Sequence, residues 1–214
     1  MQTEFVDSNK ERKGLYVYVT AVHSDAPTDL SRVACEERRV EIEKMKNPQA
    51  KAEKFFAWLL LEYAVKTDFG YTLSSLNPRK TGNGKWVADS IYLSISHSDG
   101  IVAVAVSDKP VGVDIQREVV PRAKNFVKKV LNERELEELE KLPDEDKSKH
   151  LIELWSKKEA LFKLDGDGVF SPKQIDTKAF VSSVRIKKAE KNTVLSVASR
   201  NYTSFEISSR VDLF

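Results

Sequence analysis

The sequence predicts a mixed α/β (α+β) fold, and three observations carry that prediction. Strand-type and helix-type patterns alternate, and the order strand, helix, sheet loosely repeats in the second half of the 214 residues. Residues 51–65 hold Phe55, Phe56, Leu59, Leu60 and Tyr63 as one helical stripe. Residues 101–106 are almost wholly apolar, the pattern of a strand buried on both faces. The length accommodates one large domain or two small halves, either of which buries a substantial core.

The elements follow in order. Residues 14–22, rich in Tyr and Val, read as a first strand. Residues 29–45 are charged with apolar positions at helical spacing, and Asn47-Pro48 punctuates them before the 51–65 helix. A loop region runs through Asn77-Pro78 and the Thr81 to Lys85 turn. Residues 91–96 alternate as a strand, and Asp99-Gly100 turns the chain into the buried strand 101–106. Ser107 to Pro110 forms a second turn, from which 111–116 is expected to pair back as a hairpin. Residues 133–142 form a charged helix with Leu136, Leu139 and Leu142, ended by Pro143. Residues 150–164 form another helix, stopped by Asp165-Gly166-Asp167-Gly168, because glycine takes the left-handed C-cap conformation at little cost. Residues 180–213 read as strands between polar turns.

Composition narrows the function classes. Lys and Arg total 35 against 33 Asp and Glu, a net charge of +2, with the signs interleaved. This points away from a dedicated nucleic-acid binder and leaves room for a small anionic ligand. Cys35 is the only cysteine, so no internal disulfide forms, which fits a reducing compartment. The first 14 residues lack the apolar stretch of a secretory signal. The longest apolar run, Phe55 to Leu61, stops at Glu62 and is too short to span a bilayer. The expectation is a soluble, cytoplasmic protein.

Two stretches carry chemistry. In Trp155-Ser156-Lys157-Lys158-Glu159-Ala160-Leu161-Phe162-Lys163 the residues Trp155, Glu159 and Lys163 lie four apart on one helix face, with Lys158 beside them. In Val111-Gly112-Val113-Asp114-Ile115-Gln116 a strand points Val113 and Ile115 one way and Asp114 and Gln116 the other. Two carboxylates on separate elements, with lysines nearby, suit a divalent cation and a phosphate held together. Each part also has a plainer reading. Asp114 could face water from an edge strand, and Glu159–Lys163 could be a surface pair worth about 0.3–0.5 kcal/mol. His97 could sit on the core face after Leu93 and Ile95, or at the end of a strand in a hydroxyl-rich Ser96-His97-Ser98 loop suited to phosphate. The Asp165 to Gly168 run lacks the later ligands of a calcium loop. No Walker-type loop, dinucleotide fingerprint or zinc spacing is present.

Together these pieces resemble the Sfp-type 4'-phosphopantetheinyl transferases. The order matches from about Arg38 to Gly168: Gly84-Lys85, then Ser96-His97-Ser98, then the Asp114 strand, then the Trp155 helix. The resemblance implies a pseudo-twofold pair of similar α/β halves, taken as residues 1–107 and 108–214, with the site at their junction. It implies transfer of the phosphopantetheine arm of coenzyme A to a serine of an apo acyl or peptidyl carrier protein, dependent on Mg²⁺ and releasing adenosine 3',5'-bisphosphate. By position, Asp114, Gln116 and Glu159 would hold Mg²⁺. Lys158 and Lys163 would contact the coenzyme A phosphates, Ser96 and His97 the phosphate end, and Lys85 the nucleotide end. Arg38 and Lys54 match basic positions near the 3'-phosphate. Glu135 matches a candidate general base, with Glu159 and Lys163 completing the catalytic set. The chain departs from the family at Gln116, where many members have Glu, and at Trp86, where many have Pro. The partners implied are coenzyme A and the carrier, with no nucleic acid and no membrane, and the protein is expected to be a monomer. The competing assignments are a Mg²⁺-dependent pyrophosphate hydrolase acting on coenzyme A or a nucleotide, and a non-catalytic coenzyme A- or carrier-binding protein.

Overall fold

Alternating Val and Tyr along Leu15–Ala21 place Val17 and Val19 on one side and Tyr18 on the other, which makes β1. It belongs to a computed structural model that describes residues 13–119, 125–166, 168–178, 181–188 and 191–208. The remaining strands are β2 (Arg79–Lys80), β3 (Trp86–Val87), β4 (Tyr92–Ser98), β5 (Ile101–Ser107), β6 (Gly112–Arg117), β7 (Val181–Lys188), β8 (Lys191–Ala198) and β9 (Glu206–Ser208). The helices are α1 (Glu36–Glu43), α2 (Pro48–Phe69), α3 (Phe126–Val130), α4 (Glu133–Glu140) and α5 (Asp144–Asp165).

The layers run helix, sheet, sheet, helix. One sheet has the order β4-β5-β1-β9 and the other β6-β8-β7, while β2 and β3 form a small ribbon. On one face of the first sheet, Tyr18, Leu93, Val102 and Val104 pack against Phe55, Phe56 and Leu60 of α2. On its other face, Val17, Val19, Ala103 and Ala105 meet Val113, Ile115, Leu195 and Val197 of the second sheet. The outer face of that sheet receives α5 through Ala160, Leu161 and Leu164 against Ala198. Each fully buried Leu or Phe contributes about 1.5–3 kcal/mol. Both covering helices have 22 residues. Near the C-terminus β9 returns to pair in parallel with β1 of the first sheet. Among the described residues no helix is long and apolar enough to cross a membrane.

Helix boundaries follow local chemistry. Asn47 caps α2 by accepting from the amide of Ala50, and Pro48 occupies the first turn, where its missing N–H costs nothing. The last helix begins at Asp144, six residues before the expected start at 150. Pro143 is its N-cap, and Asp144, Glu145 and Asp146 favour the positive end of the helix dipole. The charged segment 29–45 divides into a short 3-10 turn at Leu30–Arg32 and α1. Asp165 ends the last helix and Gly166 takes the left-handed C-cap at φ 76. Asp167 lies outside the described residues.

The expected hairpin between 101–106 and 111–116 does not form. Both edges of β5 are already used, by β1 and by β4. Instead β6 pairs antiparallel with β8. Its other edge meets β4 through side chains: the amides of Val113, Ile115 and Arg117 donate to the hydroxyls of Ser94, Ser96 and Ser98. Serine hydroxyls therefore join the two sheets where backbone pairing stops.

Candidate active site between β6 and α5

Gly112 is where the site begins. A Cβ there would stand 1.9 Å from the carbonyl oxygen of Ala160 and 2.5 Å from the amide of Leu164. Only glycine lets α5 lie this close to β6. Two residues on, and on the same face, Asp114 is 1% exposed and meets the last turns of the helix. The Lys163 ammonium donates to its Oδ1 at 2.8 Å, as does the Ser96 hydroxyl at 2.8 Å. The Gln116 amide donates to its Oδ2 at 3.1 Å. Asp114 is thus a buried acid with partners, not a solvated edge residue, and Lys163 pairs with it across elements.

Glu159 completes this group. Burial, with the nearby charge of Asp114, raises its carboxyl to about 7, against a smaller opposing pull from Lys163. Glu159 and Lys163 line a cleft of about 220 Å³ together with Lys85, Trp86, Ile95 and Phe162. The cleft lies between the β3–β4 region and α5.

His97 is held by a residue that the sequence reading did not single out. Its Nδ1 lies 2.7 Å from Oε2 of Glu53, which is 5% exposed on α2. Oε1 of the same carboxylate accepts from the amide of Gly100 at 2.6 Å and from Gln49 at 3.1 Å. Burial pushes the Glu53 carboxyl up, but these hydrogen bonds and the His97 charge bring it below the ordinary value. The available signal was phase: Glu53 shares a helix face with Phe56 and Leu60, where an acid needs a buried partner.

Arg38 and Lys54 meet around a second unexpected acid, Glu41. Arg38 donates to Glu41 at 2.9 Å and to the carbonyl of Lys54 at 2.7 Å. Lys54 and Lys80 both bond Glu41 Oε1, Lys80 at 3.0 Å. Burial opposes ionisation of Glu41, yet the two lysine hydrogen bonds and Arg38 hold it down to about 2. The guanidinium also stacks 5.5 Å from the Trp58 ring centre and 5.9 Å from that of Trp86. Trp86 therefore stands between this basic cluster and the cleft. Lys85 turns the other way, donating to the carbonyl of Lys163 at 2.6 Å, so it caps the C-terminal end of α5.

Two expected site residues sit elsewhere. Lys158 has no solvent exposure, and its three N–H groups donate to Glu135 Oε2 at 2.6 Å, Pro172 O at 2.9 Å and Val130 O at 3.0 Å. An ammonium has three donors, so none is left for a phosphate. Glu135 is 1% exposed and also closes the capping box of α4 by accepting from the Asn132 amide at 3.0 Å. The reason is helix phase: Lys158 precedes Glu159 by one residue, about 100° around the axis, and so faces α4 rather than β6. The pair joins α4 to α5 and stands in the interior, away from the cleft lining.

The donor set suits a hard divalent cation. Asp114 and Glu159 offer carboxylate oxygens and Gln116 offers an amide oxygen; burial first and the Asp114 charge second raise the Glu159 carboxyl, and a cation would relieve the second. Among the described residues no group of three or more His, Cys, Asp or Glu side chains gathers at one point, so two acids and an amide are the set available here.

Comparison with known proteins bears on the part of the chain that holds β6 and α5. Residues 110–205 match the 4'-phosphopantetheinyl transferase superfamily. The matched segment is similar to that superfamily. It contains β6, Asp114, Gln116, α5, Glu159 and Lys163. The chain is similar to the 4'-phosphopantetheinyl transferase psf-1 of Bacillus pumilus, 31% identical over 114 residues, covering 52% of this chain and 48% of that protein. It is similar to the 4'-phosphopantetheinyl transferase gsp of Aneurinibacillus migulanus, 32% identical over 118 residues, covering 55% and 46%. The 4'-phosphopantetheinyl transferase HetI of Nostoc is 29% identical over 94 residues, covering 43% of this chain and 40% of that protein. The chain thus spans about half the length of the first two relatives it matches. The mixed α/β architecture agrees with the expected fold class.

Proposed function

We propose that this protein transfers the 4'-phosphopantetheine arm of coenzyme A to a serine of an apo acyl or peptidyl carrier protein, releasing adenosine 3',5'-bisphosphate. The observation that carries this reading is the buried Asp114 of β6 held by Lys163, beside Glu159, where Glu159 and Lys163 of α5 line one cleft in the segment that matches the superfamily. In the transfer, the carrier serine oxygen forms a bond to the pantetheine-side phosphorus. The bond from that phosphorus to the bridging oxygen breaks, and the bisphosphate leaves with the electron pair.

Asp114, Glu159 and Gln116 would hold Mg²⁺, which supplies neutralisation of the pyrophosphate charge. Lys163 presents a positive charge at the cleft wall and favours the anionic leaving group. Arg38, Lys54 and Lys80 form the cationic cluster nearest to Trp86 and are assigned to a phosphate of coenzyme A, in exchange for Glu41. His97 is assigned to the phosphate end, oriented by Glu53. The serine proton passes to a carboxylate, directly or through a water. Of the two candidates, Glu159 borders the cleft, whereas Glu135 is enclosed with Lys158. The proposed setting is cytoplasmic, and the proposed active form is a monomer.

Incubation with coenzyme A, Mg²⁺ and an apo carrier protein, read by intact mass, tests this reading. Transfer adds the arm to the carrier. Consumption of coenzyme A without carrier modification would replace it with a hydrolase, and binding without consumption would leave a binding protein.

A further inference from the structure

Three serines of β4 reach the free edge of β6, stepping by two residues along both strands. Val113 donates to Ser94 at 3.0 Å, Ile115 to Ser96 at 3.2 Å and Arg117 to Ser98 at 3.4 Å. The middle contact differs from its neighbours. Besides accepting the Ile115 amide, the Ser96 hydroxyl donates to Asp114 Oδ1 at 2.8 Å and accepts from Lys163 Nζ at 3.1 Å. A serine hydroxyl has one donor and two acceptor sites, and all of them are used. Among the described residues, Ser94 and Ser98 make the backbone contact without the contacts to Asp114 and Lys163. Ser94 and Ser96 are equally enclosed, at 5% and 6% exposure.

We propose that Ser96 is a positioning residue: its hydroxyl fixes the Asp114 carboxylate and the Lys163 ammonium as one unit across the seam of the two sheets, and it does not itself bind phosphate. Ser96 belongs to the first half, whereas Asp114 and Lys163 belong to the second, so the contact couples the geometry of the acid site to the docking of the halves. Without the hydroxyl, Oδ1 of Asp114 loses one of its two donors and the Ile115 amide loses its acceptor. The carboxylate is then free to rotate away from Lys163. The functional consequence rests on the transferase reading, but the positional claim does not.

The test compares Ser96→Ala with Ser94→Ala, which loses the same kind of junction bond, and with Ser96→Thr, which keeps the hydroxyl. In urea unfolding, Ser96→Ala combined with Lys163→Met should destabilise by less than the sum of the single losses, whereas Ser94→Ala with Lys163→Met should be additive. In the transfer assay, Ser96→Ala should raise the half-saturating Mg²⁺ concentration by about tenfold or more, the range for groups that orient metal ligands. Ser96→Thr should restore it, and coenzyme A affinity by calorimetry should hold. Additive unfolding for Ser96→Ala with Lys163→Met would overturn the proposal. So would a loss of coenzyme A affinity at unchanged Mg²⁺ dependence, which would make Ser96 a phosphate ligand. If the wild-type protein transfers nothing, the transferase reading falls, and the unfolding cycle alone decides for or against Ser96.

Discussion

The Lys163 ammonium lies 2.8 Å from Oδ1 of Asp114, tying the last turns of α5 to the middle of β6. Asp114 is buried while Lys163 remains partly exposed at the cleft, so the pair has an enclosed anion and a reachable cation. Asp114→Asn keeps the shape and removes the charge. It should lower transfer by at least about a hundredfold, the scale of losing a central electrostatic stabiliser. Steady-state rates at saturating coenzyme A check this, and near-normal turnover at low Mg²⁺ would remove Asp114 from the metal site.

Gln116 donates to Oδ2 of Asp114 at 3.1 Å. Gln116→Glu exchanges that donor for a third negative charge beside Asp114 and Glu159. Without Mg²⁺ the variant should melt below the wild type. With Mg²⁺ it should recover, and half-activity should need less Mg²⁺. Thermal melts with and without the ion separate these effects, and identical Mg²⁺ responses would place Gln116 outside the cation's reach.

Lys158→Met should be a stability variant. It leaves the Glu135 carboxylate enclosed and unpaired, a situation that costs about 3–5 kcal/mol. Adding Glu135→Leu to it should recover much of that loss, because an apolar pair avoids desolvating two charges. Urea unfolding measures both. Calorimetry on the folded fraction should give wild-type coenzyme A affinity, and a weakened affinity at wild-type stability would return Lys158 to the phosphate site.

Gly112→Ala should force α5 away from β6, since its Cβ would overlap the backbone at Ala160 and Leu164. The expected loss is about 1–3 kcal/mol or more. Transfer should fall further than stability alone explains, because Asp114 and Lys163 separate with the helix. A variant with the wild-type melting temperature would show that the two elements are not in such close contact.

Glu41 gives the acid limb a definite sign. Its folded-state carboxyl is held down to about 2, below its ordinary 4.5. The charged form therefore favours the folded state, and its contribution is full above about 4.5 and lost as pH falls toward 2. Glu41→Gln should lower stability at neutral pH and flatten the decline across that window. Urea midpoints at a series of pH values check it, and parallel wild-type and variant curves would refute the pairing with Lys54, Lys80 and Arg38.

The sequence alone determined the local periods and stops. The 3.6-residue period put Glu159 and Lys163 on one helix face, and the two-residue period set Asp114 and Gln116 opposite Val113 and Ile115. The capping residues Asn47 and Gly166 start one helix and stop another where local chemistry requires it. Only the tertiary structure decided the partners of those faces. Strand pairing is non-local, so nothing near 111–116 reveals that β6 joins β8 instead of β5, whose edges were already filled. The same holds for Lys158, where one step around the helix axis separates an enclosed structural cation from the cleft. Glu53, Glu41 and the Ser94-Ser96-Ser98 series gain their roles from residues tens of positions away. A local pattern states which side chains share a direction, and long-range packing determines what lies in that direction.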